Sequence, residues 1–295
     1  VTTEPQDVDD ERVPIPRDHF GRPKILCPDG KVRTYTRVST FAKALDDGSG
    51  LSEWKSQILM RGLTRRPHIL ADLMHIAEQP VWESSEAGAR WQRDWKLGDY
   101  SSWIEEARDA GGGNEASRWG TALHGLAEWF DAESYMFPDD GTIPDDLMAA
   151  LDRYVEITKD IEMLACEGFV VHDEWLLAGS YDRLGLLPDG RLVVMDIKTS
   201  PHQHNNVSAA AIQMAAYARG THYNPDGTRD LGLLEHVDQT VGLIIQISRD
   251  GSGDRLLEVD LAEGWRRAEL AREVRAKRIM KPRGIHTSAK DLPPF

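Results

Sequence analysis

A chain of 295 residues, 40% hydrophobic and 28% charged, is long enough to bury a substantial core and to form one large domain or two small ones. Its net charge of −14 argues against a passive nucleic-acid-binding surface, yet allows an enzyme whose active-site acids are neutralised by metal. No run of about eighteen apolar residues is present to span a membrane. The two cysteines, Cys27 and Cys166, are too few for a disulfide framework, a four-cysteine zinc site or a cysteine-ligated iron–sulfur cluster.

The opening VTTEPQDVDDERVPIPRD lacks the apolar core of a secretory signal and reads as a disordered acidic leader over 1–19. A reducing cytoplasmic location is the default expectation. KILCPDGKVRTY then predicts a hairpin around a Pro-Asp-Gly turn. From Ser39 to about Ala110 the pattern is mainly helical. Trp54, Ile58 and Leu59 share one helical face, and Ile69, Leu73 and Ile76 another. Tryptophans 82, 91, 95 and 103 suit core packing, with base stacking as the alternative. GGGN at 111–114 is a natural break, and Asn114 is placed to cap a helix through SRWGTALHGLAEWF. A further helix is expected over Asp145–Leu164, then strands near 168–176, 180–187 and 191–197. A helix over 205–219, strands at 240–248 and in RLLEVDL, and a last helix from about Ala262 complete the order.

The most informative stretch is YDRLGLLPDGRLVVMDIK, 181–198. It sets Asp182 and Asp196 on successive strand-like runs, with Lys198 two residues beyond the second acid and so on its face. Paired carboxylates suit hard Mg²⁺ or Mn²⁺, and a lysine beside them can position water or offset phosphate charge. The register depends on the turn. A two-residue Asp189-Gly190 loop would set Asp182 against Ile197, whereas a three-residue Pro188-Asp189-Gly190 loop pairs Leu187 with Arg191 and Asp182 with Asp196. Proline first, aspartate next and glycine in the left-handed position favour the latter.

Other residues extend the constellation. His124 in GTALH lies on an amphipathic helix, where neutral imidazole can ligate a divalent metal; Gly120 one turn earlier permits close backbone approach. Glu128, one turn later, is a weaker candidate and suits solvent. Gln213 and Tyr217 in QMAAY share a helix face and can contact phosphate or water, or form an ordinary partly buried pair. Glu174 is a candidate metal ligand or an acid supporting the ligands. His202 and His204 suit a solvated turn or a DNA contact. The late cations Arg266, Arg267, Arg272, Arg275, Lys277, Arg278, Lys281 and Arg283 form either a solvated helix face or a phosphate-tracking surface, with Trp265, Leu270 and Val274 near one side of that helix.

In this order the residues resemble the PD-(D/E)XK nuclease superfamily, in particular its RecB-like branch, over about residues 114–250. His124 matches the family's helical histidine, GSYD at 179–182 its approach to the first acid, Asp196 and Lys198 its third-strand acid and lysine, and Gln213 and Tyr217 its glutamine–tyrosine helix. The resemblance implies an α/β (α+β) restriction-endonuclease-like core of helix, three-stranded antiparallel meander, helix and strand. The chain is then expected to divide into an N-terminal hairpin and helical region over 20–113, read from its pattern alone, a nuclease core with its C-terminal basic helix over 114–283, and a tail over 284–295. His124, Asp182, Asp196 and the Ile197 backbone carbonyl would hold one or two Mg²⁺ or Mn²⁺ ions, with Lys198, Gln213 and Tyr217 acting on the substrate.

The expected activity is that of a metal-dependent deoxyribonuclease acting on single-stranded DNA or duplex ends. Analogy favours a free-standing exonuclease of phage or bacterial recombination, repair or replication, in the host cytoplasm if phage-encoded. Recombination or replication proteins and further copies of the chain are candidate partners. The cysteines of iron–sulfur relatives and the GxxxxGK[ST] loop of an ATP-driven motor are both missing. The competing reading is a catalytically idle nuclease fold that binds DNA or protein.

Overall fold

Both Pro-Asp-Gly segments close hairpins in the computed structural model, which describes residues 15–46, 48–78, 97–132, 143–199, 207–224 and 226–278. The first joins β1 (Lys24–Leu26) to β2 (Val32–Thr34). The second joins β7 (Arg183–Leu186) to β8 (Leu192–Lys198), with Leu187 N–H donating to the Arg191 carbonyl. Gly30 and Gly190 take φ of 76° and 88° at these turns, a region that glycine enters without the Cβ penalty. The expectations for residues 1–14, Trp82, Trp91, Trp95, His202, His204, Lys281, Arg283 and the tail lie outside the described residues, as do the side chains of Leu73 and Ile76.

The chain divides into two compact units, one of Val1–Asp46 with Arg153–Phe295, the other of Asp47–Asp152. The first holds two five-stranded sheets. One has the order β10 (Arg229–Asp230), β9 (Thr221–Tyr223), β5 (Phe169–His172), β6 (Leu177–Ser180) and β3 (Thr36–Arg37). The other runs β12 (Arg255–Asp260), β11 (Val237–Gln246), β8, β7 and β4 (Glu162–Cys166). β11 is parallel to β8, and every other pairing in this second sheet is antiparallel.

Several boundaries differ from the sequence expectation. The helix expected to reach Leu164 stops as α6 (Asp145–Thr158), where the Thr158 hydroxyl bonds back to the Tyr154 carbonyl, and β4 follows. The strand expected over 168–176 stops at His172 as β5, and the one expected over 180–187 begins only at Arg183 as β7; β6 lies between them and serves one sheet while β7 serves the other. Buried Tyr181 anchors this crossover.

Helix α7 (Ser208–Ala218) is apolar almost all round and is buried accordingly, packed on β8, β11 and α8 (Leu261–Lys277). The Asp260 carboxylate caps α8 by accepting from Glu263 N–H at 2.7 Å. Its buried face is Leu261, Gly264, Ala268 and Ala271, whereas Leu270 and Val274 are exposed. The reason is close packing: a Cβ on Gly264 would lie 2.4 Å from the Ala211 carbonyl oxygen. The five-residue helix α1 (Val38–Ala42) packs against α7 and contributes Val38, Phe41 and Ala42 to the same core.

The second unit comprises α2 (Ser49–Arg65), α3 (Pro67–Glu78), α4 (Leu97–Ala110), α5 (Glu115–Asp131) and the first part of α6. Ile58 is buried here as expected, whereas Trp54 is exposed. Asn114 occupies the position before α5, but its side chain donates to Asp109 Oδ1 and does not cap the helix. Among the described residues, no helix is long and apolar enough to cross a membrane.

Candidate active site

The β7–β8 ladder pairs Arg183 with Met195 and Leu184 with Val194, so continuing it by one step sets Asp182 across from Asp196. This is the register expected from the three-residue turn. The Asp182 side chain reaches back across the ladder, and its Oδ2 accepts from Ile197 N–H at 2.7 Å. Lys198 N–H and C=O belong to the β11 side, where the carbonyl accepts from Ile247 N–H. Alternation along a strand therefore directs the Ile197 carbonyl toward Asp182.

Asp196 is 2% exposed and is held between two partners. The Lys198 ammonium forms an ion pair with its Oδ2, and Gln213 Nε2 donates to its Oδ1 at 3.4 Å. Burial pushes the Asp196 carboxyl above its ordinary range; Lys198 opposes that shift and neighbouring Asp182 adds to it. Gln213 interrupts an otherwise apolar helix, and Tyr217 one turn later is buried. Burial raises the Tyr217 phenol, with Asp196 and Asp182 adding to the shift, so it remains a protonated donor. Gly179 makes this possible: a Cβ there would lie 3.1 Å from Tyr217 Oη.

The structure adds an acid that the sequence reading missed. β4 pairs Cys166 with Arg183, and one further step sets Glu167 across from Asp182. Glu167 N–H donates to the Asp182 carbonyl at 3.0 Å, Glu167 has a left-handed φ of 52°, and carboxylate oxygens of the two residues lie within 4.8 Å of each other. Glu167, Asp182 and Asp196 thus form one cross-strand row at one end of the sheet. The missing signal was β4 itself, because a helix drawn through Leu164 hides the register. Arg183 was also missed. It is fully buried and donates to the Asp182 backbone carbonyl at 2.8 Å, holding the chain at the first acid.

Glu174 does not join this row. It sits in the β5–β6 turn, at the opposite end of that hairpin from Ser180, with its side chain 77% exposed and paired with Arg272. His124 and Glu128 lie one turn apart on α5 in the helical unit, both half-buried. The row offers hard oxygen donors, and buried Asp196 Oδ2 has the Lys198 ammonium as its ion-pair partner. Glu167 and Asp182, with carboxylate oxygens within 4.8 Å of each other and Asp196 across the ladder from Asp182, offer the oxygen donors that a hard divalent cation prefers.

Beside the row is a polar cleft of about 420 Å³. Arg17, Arg37, Ser39, Ser180, Gln213 and Tyr217 are among its lining residues, so it shares Gln213 and Tyr217 with the carboxylate site.

Residues 143–230 match the sequence model of the PD-(D/E)XK nuclease superfamily. The matched span contains Glu167, Asp182, Asp196, Lys198, Gln213 and Tyr217, whereas His124 precedes it. No curated protein matches the chain. The mixed α/β architecture is consistent with a restriction-endonuclease-like fold, and the match supports the class of metal-dependent nucleases.

Proposed function

We propose that this protein is a Mg²⁺- or Mn²⁺-dependent deoxyribonuclease, acting as an exonuclease of the RecB-like type in DNA recombination, repair or replication. The observation that carries the reading is the cross-strand pairing of Asp182 with Asp196, with Lys198 ion-paired to the latter on the same face. Glu167, Asp182, Asp196 and the Ile197 carbonyl hold the metal. His124 enters as a further ligand on the sequence resemblance alone. A bound metal supplies an acidified water and neutralises phosphoryl charge.

The remaining chemistry belongs to the side chains. Gln213 fixes the orientation of Asp196 through its Oδ1. Lys198 holds the other carboxylate oxygen and presents an ammonium to the phosphate as negative charge develops. Tyr217 stays a neutral phenol beside Gln213 and can donate to a phosphate oxygen. Arg17 and Arg37 line the adjoining cleft and supply local countercharge for the substrate strand in a chain of net charge −14.

The test is cleavage of end-labelled linear DNA and closed circular DNA by purified protein with Mg²⁺ or Mn²⁺. Shortening of linear ends with the circle spared is expected. Lys198→Ala and Asp196→Ala should each lower turnover by about 100-fold or more with the fold retained by circular dichroism. Parent-like cutting by both variants would sink the assignment.

A further inference from the structure

The strand sequence VGLIIQIS contains one conspicuous irregularity, a glutamine in an apolar run. Gln246 is fully buried, and a buried amide is costly unless it is hydrogen-bonded. Its place in the sheet gives that burial a purpose. β11 sets Gln246 beside Lys198 on one flank and opposite Arg255 of β12 on the other. Arg255 Nε donates to Gln246 Oε1 at 3.1 Å. Since paired residues in adjacent strands share a face, Lys198, Gln246 and Arg255 form a second polar row, one pleat beyond Asp196. Arg255 thus lies about 10 Å from Lys198, two strand spacings across the same end of the sheet.

The charge pattern distinguishes Arg255 from its neighbours. Several arginines of this unit are consumed by carboxylates: Arg22 by Asp18, Arg33 by Asp29, Arg153 by Asp254, Arg191 by Asp189, Arg229 by Asp173, Arg266 and Arg267 by Glu263, and Arg272 by Glu174. Arg255 is exposed as a residue, and its hydrogen bond goes to a neutral amide rather than to a carboxylate. The Arg17 and Arg37 cleft lies on the β6 side of the carboxylates, and Arg255 lies on the β12 side. Cations therefore stand near the acids both at β6, which leads directly into Asp182, and at β12, two strands from Lys198.

We propose that Arg255, oriented by Gln246, contacts a phosphate of the nucleic-acid strand within one or two nucleotides of the bond being cut. The bound strand then runs across the sheet end, from the Arg17 and Arg37 cleft, past Lys198, to Arg255. Arg255 serves affinity and register, and Gln246 is a positioning residue that acts through it. The inference rests on the nuclease reading for the identity of the strand but not for its measurement.

The experiment measures binding and cleavage separately in the full chain. A fluorescein-labelled DNA duplex with a single-stranded tail is titrated in EDTA over a salt series, and the same DNA is then cleaved with Mn²⁺. Arg255→Gln is expected to weaken binding by about 10-fold and to reduce the salt slope by about one. KM should rise while kcat stays within about twofold of the parent, because the contact is made in ground and transition states alike. Arg255→Lys should recover the slope and part of the affinity. Gln246→Leu, which leaves every charge in place, should weaken binding while keeping the parent slope. Parent-like affinity and slope for Arg255→Gln would overturn the proposal, as would a parent that binds no DNA in EDTA. A parent that binds DNA and cuts none refutes the nuclease reading alone, and Arg255 is still judged by the binding series.

Discussion

Burial decides the chemistry of individual side chains in this protein. Asp196 is an acid sealed among apolar strands, and its charge is tolerated because Lys198 and Gln213 meet both its oxygens. His172 shows the opposite case. It is packed with Trp175 and Trp265, with ring centroids 6.0 and 5.6 Å away, and its Nε2 lies 3.0 Å from the Ala216 carbonyl. Burial lowers its basicity below the ordinary 6.5, partly opposed by the Ala216 hydrogen bond and by Glu174 and Asp173; Arg219 adds to the lowering. The neutral folded imidazole competes with an unfolded chain that takes up the proton first. Its contribution to stability is therefore complete above pH 6.5 and is lost as pH falls through the lowered folded value. Thermal midpoints of the parent and His172→Gln, compared between about pH 8 and about pH 5, should separate this effect from that of the carboxylates. The parent is expected to lose more stability on acidification than the variant. Equal losses would show that His172 titrates alike in both states.

At the scale of elements, legibility followed local chemistry. Pro188-Asp189-Gly190 fixed its own turn type, and the alternation of side chains then carried that register to Asp182 and Asp196 without tertiary information. β4 was not legible, because DRYVEITKDIEML continues a helical periodicity through the point where Thr158 ends the helix. Glu167 was hidden with it, since its position opposite Asp182 exists only once β4 pairs with β7. The buried face of α8 was obscured for another reason. Hydrophobic periodicity favours large side chains, but α7 is alanine-rich and comes so close that only small residues fit between the helices. Gly264→Ala tests this packing. With the added Cβ facing the Ala211 carbonyl oxygen at 2.4 Å, the backbone itself must move, at a cost of about 1–3 kcal/mol in urea denaturation. Because α7 also carries Gln213 and Tyr217, kcat should fall with stability. Unchanged stability would mean that the helices separate freely.

At the scale of the whole molecule, the superfamily match lies between residues 143 and 230 and includes the acid row, while α5 with His124 falls in the helical unit and outside the match. His124 was legible only as a histidine at a suitable place in a motif order, so its part in metal binding needs a measurement independent of catalysis. Mass action supplies one. A cation that binds the folded acids and not the unfolded chain stabilises by about 2.7 kcal/mol when present at 100 times its Kd. Gathering Glu167, Asp182 and Asp196 concentrates negative charge in a chain that already carries −14, so the metal also relieves repulsion that the acids maintain without it. Thermal unfolding of the EDTA-treated parent should therefore shift upward as Mn²⁺ is titrated. Asp196→Asn should remove most of that shift and Glu167→Gln should reduce it, even if the variants begin at or above the parent midpoint because a buried charge has gone. His124→Ala should weaken the Mn²⁺ dependence if imidazole supplies a ligand, and should leave it untouched if the histidine only packs within α5. Calorimetric titration with Mn²⁺ gives the same comparison as a change in Kd, so a variant that merely unfolds earlier is not mistaken for one that has lost a ligand.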